Sequence, residues 1–134
     1  MRIFIDENVP HALGKVLAAA YPEVHIRTHL QEQLSSWEDV DLINELKHRD
    51  FDALVTHDGR QLHRSDERAA LRDCHIDWIG LPDLTEWGTS IREAMSGVAC
   101  LGVAYYLRSR RQGPHAYHTP LPTSPSKAPT IEPL

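Results

Sequence analysis

Residues 1–13, MRIFIDENVPHAL, join a short apolar run to two carboxylates, an amide and a proline. The run 3–5 (IFI) is typical of a β-strand that is buried on both faces of a sheet. Pro10 is favoured in the first turn of a helix, so a helix is predicted to begin close to it. Asp6 and Glu7 therefore fall at the carboxyl end of a first buried strand.

Strand and helix patterns alternate from this start as far as residue 112. The further strands are predicted over 23–28, 53–56 and 75–81, and the helices over 11–21, 38–49, 65–72 and 89–110. The segment 29–37 is predicted to be a connecting loop. This alternation favours a three-layer α/β/α domain over residues 1–112, with a central parallel sheet of about four strands.

The chain changes character after residue 112. Six of its nine prolines lie in 113–134, with serine and threonine between them and few large apolar residues. Such a composition buries too little apolar surface to offset the entropy of ordering the chain. We therefore expect a disordered or loosely attached tail over 113–134.

Composition limits the classes of protein that the chain can represent. It has 134 residues, 41% of them hydrophobic, which suits one domain with a core of its own. No stretch approaches the roughly 20 apolar residues that a membrane span needs. The first apolar run is short and is followed at once by Asp6 and Glu7, which does not fit a signal peptide. Cys74 and Cys100 lack the spacing of a metal site and are interpreted as reduced thiols. A cytoplasmic location follows as an expectation, with no membrane partner.

Carboxylates follow two of the predicted strands. Asp6 and Glu7 follow the first strand, and Asp58 follows the third. In open parallel sheets, ligand sites form beyond the carboxyl ends of the strands. We therefore expect these acids to meet at one edge of the sheet.

The second predicted helix supplies another acid. Asp39 continues the apolar stripe of Leu42 and Ile43 toward the start of this helix. A carboxylate on a core-facing stripe is costly unless it is paired, and a metal ion would supply the partner.

Each acid also has an ordinary structural interpretation. Asp6 could cap the first helix, Asp39 could favour the dipole of its helix, and Asp58 could be a turn residue before Gly59. All three interpretations must hold together to replace a shared site, so we favour the shared site.

Three segments together carry a resemblance to a known family. IFIDENVP at 3–10, DVDLI at 39–43 and LVTHD at 54–58 resemble the DEN-x-P, D-x-x-I and V-T-H-D segments of PIN-domain ribonucleases. The short PIN-like proteins similar to VapC-type toxins are the nearest in pattern, and the resemblance covers about residues 1 to 85.

The resemblance implies a metal-dependent endoribonuclease, often the toxin of a type II toxin–antitoxin pair. Its partners would be an RNA substrate and a cognate antitoxin protein. Asp6, Asp39 and Asp58 would hold Mg²⁺ or Mn²⁺, since hard cations prefer oxygen ligands. A water activated on the metal would attack the phosphodiester. Glu7 would be a further ligand or would orient that water.

The chain departs from the family pattern at one position. PIN-like proteins commonly carry another aspartate two residues after that of the V-T-H-D segment, and here that residue is Arg60. Asp66 is a candidate replacement. A non-catalytic PIN-like module that binds protein or RNA therefore stays an alternative. A receiver-like domain is a weaker third class, since it needs a phosphoacceptor aspartate and a lysine at a downstream strand end, and the sequence has no such lysine.

Candidate substrate contacts lie near the acids. Asn8 could act as a neutral ligand or contact RNA, and His57 adjoins Asp58. Four arginines recur at every fourth residue, and on one helix they would form a basic stripe that guides the RNA backbone. The alternative is a solvated helix face on which they pair with neighbouring acids. The four are Arg60, Arg64, Arg68 and Arg72.

The last predicted helix carries a broad apolar surface over 91–107. Such a surface favours a homodimer or an antitoxin contact. Burial of the same helix within its own domain is the alternative.

Overall fold

One six-stranded sheet forms the centre of the protein in a computed structural model, which describes residues 1–85, 91–121 and 130–134. The strands are β1 (Arg2–Ile5), β2 (His25–Thr28), β3 (Ala53–Thr56), β4 (Asp77–Gly80), β5 (His115–His118) and β6 (Thr130–Pro133). Their order across the sheet is β2-β1-β3-β4-β5-β6. The first five strands pair in parallel, and β6 pairs antiparallel with β5.

Five α-helices and one 3₁₀ turn lie between the strands in the part of the chain that the structure describes. They are α1 (Leu13–Ala20), α2 (His29–Glu32), α3 (Asp39–His48), the 3₁₀ turn (Gly59–Leu62), α4 (Ser65–Cys74) and α5 (Ile91–Ser109). The expected parallel α/β/α class is confirmed, with two more strands than expected. The predicted start of the last helix, residue 89, lies outside the described residues.

The helices cover both faces of the sheet because β1 is apolar on both of its faces. Ile3 and Ile5 share one core with α1 and α5, whereas Phe4 shares the other with α3 and α4. On α5, four side chains lie in the chain's own core: Val98, Ala99, Val103 and Tyr106. At these positions the structure supports burial within the domain, and the homodimer stays a prediction.

The segment 29–37 was predicted to be a loop, but its first part forms the short helix α2. The hydroxyl of Thr28 accepts a hydrogen bond from the backbone of Gln31, and the side chain of Gln31 accepts one from the backbone of Thr28. This reciprocal capping supplies partners for the first turn of a very short helix.

The prediction of a disordered tail is wrong at β5 and β6. In β5, Ala116 and Tyr117 are almost fully buried, and the ring of Tyr117 packs edge-on against Tyr106 at 5.0 Å. The free edge of β4 supplies the backbone partners that order this segment, in the register Trp78↔Ala116. Pro133 is tolerated because β6 pairs on one side only. The folded domain therefore extends past residue 112.

Among the described residues, no helix combines the length and apolar character that crossing a membrane requires.

Candidate active site

The neighbouring strands β1 and β3 deliver their following residues to the same edge of the sheet. They run in parallel, with Ile5 opposite Val55. The backbone N–H of Asp6 donates to the carbonyl of Val55 at 3.0 Å, so the ladder continues one residue past β1. The side chain of Asp6 is consequently buried at this edge, with Thr56 beside it.

Thr56 is the centre of the hydrogen-bond network at this edge. Its hydroxyl donates to Oδ2 of Asp6 at 2.8 Å and accepts from Nδ2 of Asn8 at 2.9 Å. It also accepts from the backbone N–H of Asp58 at 3.1 Å. Oδ1 of Asn8 in turn accepts from the backbone of His57 at 2.9 Å. The network fixes both strand-end acids relative to each other.

Thr56 is a site residue that the sequence analysis did not single out. It is fully buried as the last residue of β3, and it stands inside the quoted V-T-H-D segment. A polar residue that ends an otherwise apolar strand was the available signal, because its hydroxyl needs partners when buried.

Asp6 has an unusual electrostatic environment. Burial raises its pKa, while hydrogen bonds from Thr56 and from the backbone of Glu7 act to lower it. The nearby charge of Asp39 raises the pKa further, so the acid of α3 lies within electrostatic reach of the strand-end acid. Within the described residues, no lysine, arginine or histidine forms an ion pair with Asp6.

Arg64 links the remaining acids of the edge. Its Nη1 lies 3.0 Å from Oδ2 of Asp39, and its Nη2 lies 3.5 Å from Oδ2 of Asp58. Nη1 also lies 2.5 Å from Oε1 of Glu67. The structure therefore brings Asp39 and Asp58 together through a guanidinium, which offsets their mutual repulsion.

Glu67, on the first turn of α4, is the further acid near this group, and sequence reasoning did not propose it for the site. Its side chain is buried, and its Oε2 has no hydrogen-bond partner among the described residues. Burial raises its pKa, and the charges of Asp39 and Asp58 add to this effect. Asp66, the expected replacement acid, instead accepts from the backbone of Glu67 at 3.0 Å. The three-residue step from Arg64 to Glu67 was the available signal.

The side chains of Glu7 and His57 have partners away from the hydrogen-bond network. Oε2 of Glu7 accepts from the backbone of Ser36 at 3.0 Å, which ties β1 to the segment that precedes α3. The ring of His57 contacts the sulfur of Met95 on α5, and burial lowers its pKa. Their roles in catalysis and substrate binding stay predictions.

The four arginines do not form one helical stripe, so that expectation is wrong. Arg60 lies in the 3₁₀ turn, and Arg64 has an extended backbone just before α4, which interrupts the helical spacing. Arg68 contacts Glu132 and the carbonyl of Pro133, and Arg72 pairs with its neighbour on α4. Arg60 has the most exposed side chain of the four, 81% accessible.

Acidic side chains converge at this edge without forming a ready-made metal site. Among the residues that the structure describes, no three histidine, cysteine, aspartate or glutamate side chains are grouped closely enough to hold one ion. The guanidinium of Arg64 is the cation that Asp39 and Asp58 share in this conformation.

A sequence model of a protein family, described as a PIN-like domain, matches residues 1–82. The chain belongs to the PIN-like family. The match includes β1 to β4 and all three segments that carried the resemblance, whereas α5, β5 and β6 lie beyond it. PIN-like domains are commonly nucleases, so membership makes the chain one of a nuclease-type family. No curated protein and no solved structure matches the chain.

Proposed function

We propose that this PIN-like chain is a metal-dependent endoribonuclease that hydrolyses RNA phosphodiester bonds. One observation carries the proposal: β1 and β3 place Asp6 and Asp58 at one edge, with Asp6 buried. Within the described residues, Asp6 has no cationic partner. A buried carboxylate without one is costly, and such groups cluster at functional sites. Membership of a nuclease-type family supports the same conclusion.

The donors of this edge fit Mg²⁺ or Mn²⁺ in their chemistry. They are carboxylate, amide and hydroxyl oxygens, and the desolvated carboxylate of Asp6 gains most from a cation. Mg²⁺ takes only one or two carboxylates directly and keeps several waters, so three adjacent acids are not required. Asp6 would hold the ion, with Asp39 and Asp58 as the other candidate ligands. A bound divalent ion supplies Lewis-acid activation of water and offsets charge on the phosphate oxygens.

The chain's own residues prepare this site. Thr56 and Asn8 orient Asp6, because both donate to its Oδ2. Arg64 contacts both Asp39 and Asp58, and its charge offsets the repulsion between these two candidate ligands. Glu7 positions the start of α3 through its bond to the backbone of Ser36.

The test is cleavage of a labelled RNA in Mg²⁺ or Mn²⁺, with EDTA as the metal-free condition. We expect cleavage by the wild type, none in EDTA, and a loss of at least about a hundredfold for Asp6→Asn, which keeps the size of the side chain. Asp73→Asn is the matched control, since Asp73 is exposed and pairs with Arg72 on α4. Full activity in Asp6→Asn would contradict the proposal.

A second candidate, a non-catalytic PIN-like module, is favoured by two observations. Arg64 already occupies the carboxylates of Asp39 and Asp58, and Arg60 stands where the family commonly has an acid. RNA binding without cleavage in both metals would support this candidate over the nuclease.

The biological role that we propose is that of a cytoplasmic toxin, held inactive by a cognate antitoxin protein. The support is the resemblance of segments 3–10, 39–43 and 54–58 to VapC-type proteins. Induced expression in a bacterial host should arrest growth, whereas Asp6→Asn should not. Unimpaired growth with well-expressed wild type would remove the toxin role and leave the nuclease proposal standing.

A further inference from the structure

A cavity of about 600 Å³ opens at the same edge of the sheet. Asn8 and Asp58 form the part of its wall that belongs to the candidate active site. The rest includes Arg60, His63 and Trp78. Its volume falls within the roughly 300–1,000 Å³ of sites that bind small molecules. The cavity is therefore large enough for a ligand that also reaches Asp58.

The part of the chain beyond the family match completes this cavity. His118, the last residue of β5, lines it and packs its ring against that of Trp78, with centroids 5.2 Å apart. Nε2 of His118 lies 3.3 Å from a carboxylate oxygen of Glu132 on β6. The indole N–H of Trp78 donates to Oε1 of Gln61 at 3.1 Å. Both rings are thus held in place before any ligand enters.

The wall combines flat rings with a cation. Imidazole and indole rings provide surfaces against which nucleobases stack, with little dependence on sequence. The guanidinium of Arg60 is exposed, and its ion-pair partner among the described residues is Asp58, at 3.2 Å. A guanidinium matches the geometry of a phosphate and binds it bidentately.

We propose that this cavity binds one nucleotide of a single-stranded RNA. The base lies against the rings of His63 and His118, with Trp78 as the floor, and its phosphate contacts Arg60. The next phosphodiester then lies at Asn8 and Asp58, where the acids of the edge converge. The choice of RNA as ligand rests on the proposed nuclease function, and the binding itself is measurable without cleavage.

This arrangement gives β5 and β6 a function. The strands do more than extend the sheet, because His118 of β5 lines the cavity and lies beyond the family match. Binding of the substrate should therefore depend on residues outside 1–82.

The test is the affinity of the full chain for a labelled single-stranded RNA, measured by fluorescence anisotropy in EDTA. Arg60→Ala, His63→Ala and His118→Ala should each weaken binding about tenfold. Arg60→Ala should also reduce the salt dependence of binding by about one phosphate contact. Arg72→Ala is the matched control, because Arg72 is also exposed but pairs with Asp73 on α4. Its affinity should stay within about twofold of the wild type.

Each outcome decides the proposal. Weaker binding in the three cavity variants with an unchanged control supports it. If His118→Ala fails to fold, Arg60→Ala still tests the proposal, because the Arg60 side chain is 81% accessible and its removal should leave the fold intact. Unchanged affinity in Arg60→Ala and His63→Ala overturns the cavity proposal even if the chain cleaves RNA. Absence of RNA binding by the wild type also overturns it, whereas the nuclease proposal is decided separately by Asp6→Asn.

Discussion

Replacing Thr56 with valine should destabilise the protein by about 1–3 kcal/mol. Valine keeps the β-branched shape but loses three hydrogen bonds, those to Asp6, Asn8 and the backbone of Asp58. A bond to an ionised carboxylate contributes about 1.5–3 kcal/mol and a neutral bond about 1 kcal/mol. Asn8 keeps its bond to Asp6, and Asp58 is only partly buried, so water can replace part of its lost bond and both losses are small. The added methyl group returns about 0.8 kcal/mol.

The assay is urea denaturation of the wild type and of two variants in EDTA. Thr56→Ser is the control, because it keeps the hydroxyl and loses only a buried methyl group, at a cost of about 1 kcal/mol. We expect the valine variant to be the less stable of the two at neutral pH. If Thr56→Ser loses more stability than Thr56→Val, the methyl contacts of Thr56 matter more than its hydrogen bonds. That result would refute the argument that Thr56 is the centre of the network.

Two further predictions concern buried contacts elsewhere. Tyr106→Phe removes the hydroxyl that donates to Asp77 at 2.9 Å; burial already raises the pKa of Asp77 and this bond lowers it. The variant should therefore raise the pKa of Asp77 further. It should lose more stability at pH 7 than at pH 4, because the stability that a raised pKa contributes disappears as the pH rises. Equal losses of stability at the two pH values, measured by urea denaturation, would contradict this. In Gly80→Ala the new methyl group would overlap the ring of Trp78, and the protein should lose about 1–3 kcal/mol of stability. In Gly97→Ala, at an exposed position of α5, the new methyl group meets nothing within 4 Å, and the protein should gain about 0.5–1 kcal/mol of stability. Thermal melting that ranks the two glycine variants the other way would contradict the packing argument.

The strand-end acids were predictable from sequence because they depend on local pattern. An apolar run that ends in a carboxylate identifies both the strand and the edge at which Asp6 and Asp58 emerge. The strand–helix alternation predicts a parallel sheet, and the structure adds the direct pairing of β1 with β3. This part of the site needed no knowledge of how the helices pack.

The role of Arg64 was not predictable in the same way. Its contact with Asp39 depends on how α3 and α4 lie against each other, a relation between residues 25 apart. A regular spacing of arginines indicated a helical stripe instead, because sequence periodicity cannot show that a 3₁₀ turn interrupts the helix. In the structure Arg64 pairs with acids of the same chain, and its contact with RNA stays a prediction.

The sequence analysis did not predict β5 for a different reason. Its four residues, HAYH, hold only two apolar side chains and lie in a proline-rich segment. They become ordered because β4 offers an unpaired edge, and a free edge strand recruits any segment that can pair with it. That long-range pairing leaves no periodic signal in four residues, so the cavity wall at His118 was also missed.

Binding of Mn²⁺ to the purified chain tests the central claim most directly. The free ion is followed by electron paramagnetic resonance during a titration of the wild type, Asp6→Asn and the control Asp73→Asn. We expect saturable binding by the wild type and the control, and affinity at least about tenfold weaker in Asp6→Asn, because even the loss of a residue that orients a ligand costs that much. Wild-type protein that leaves all Mn²⁺ free, or equal binding by Asp6→Asn, would contradict the account.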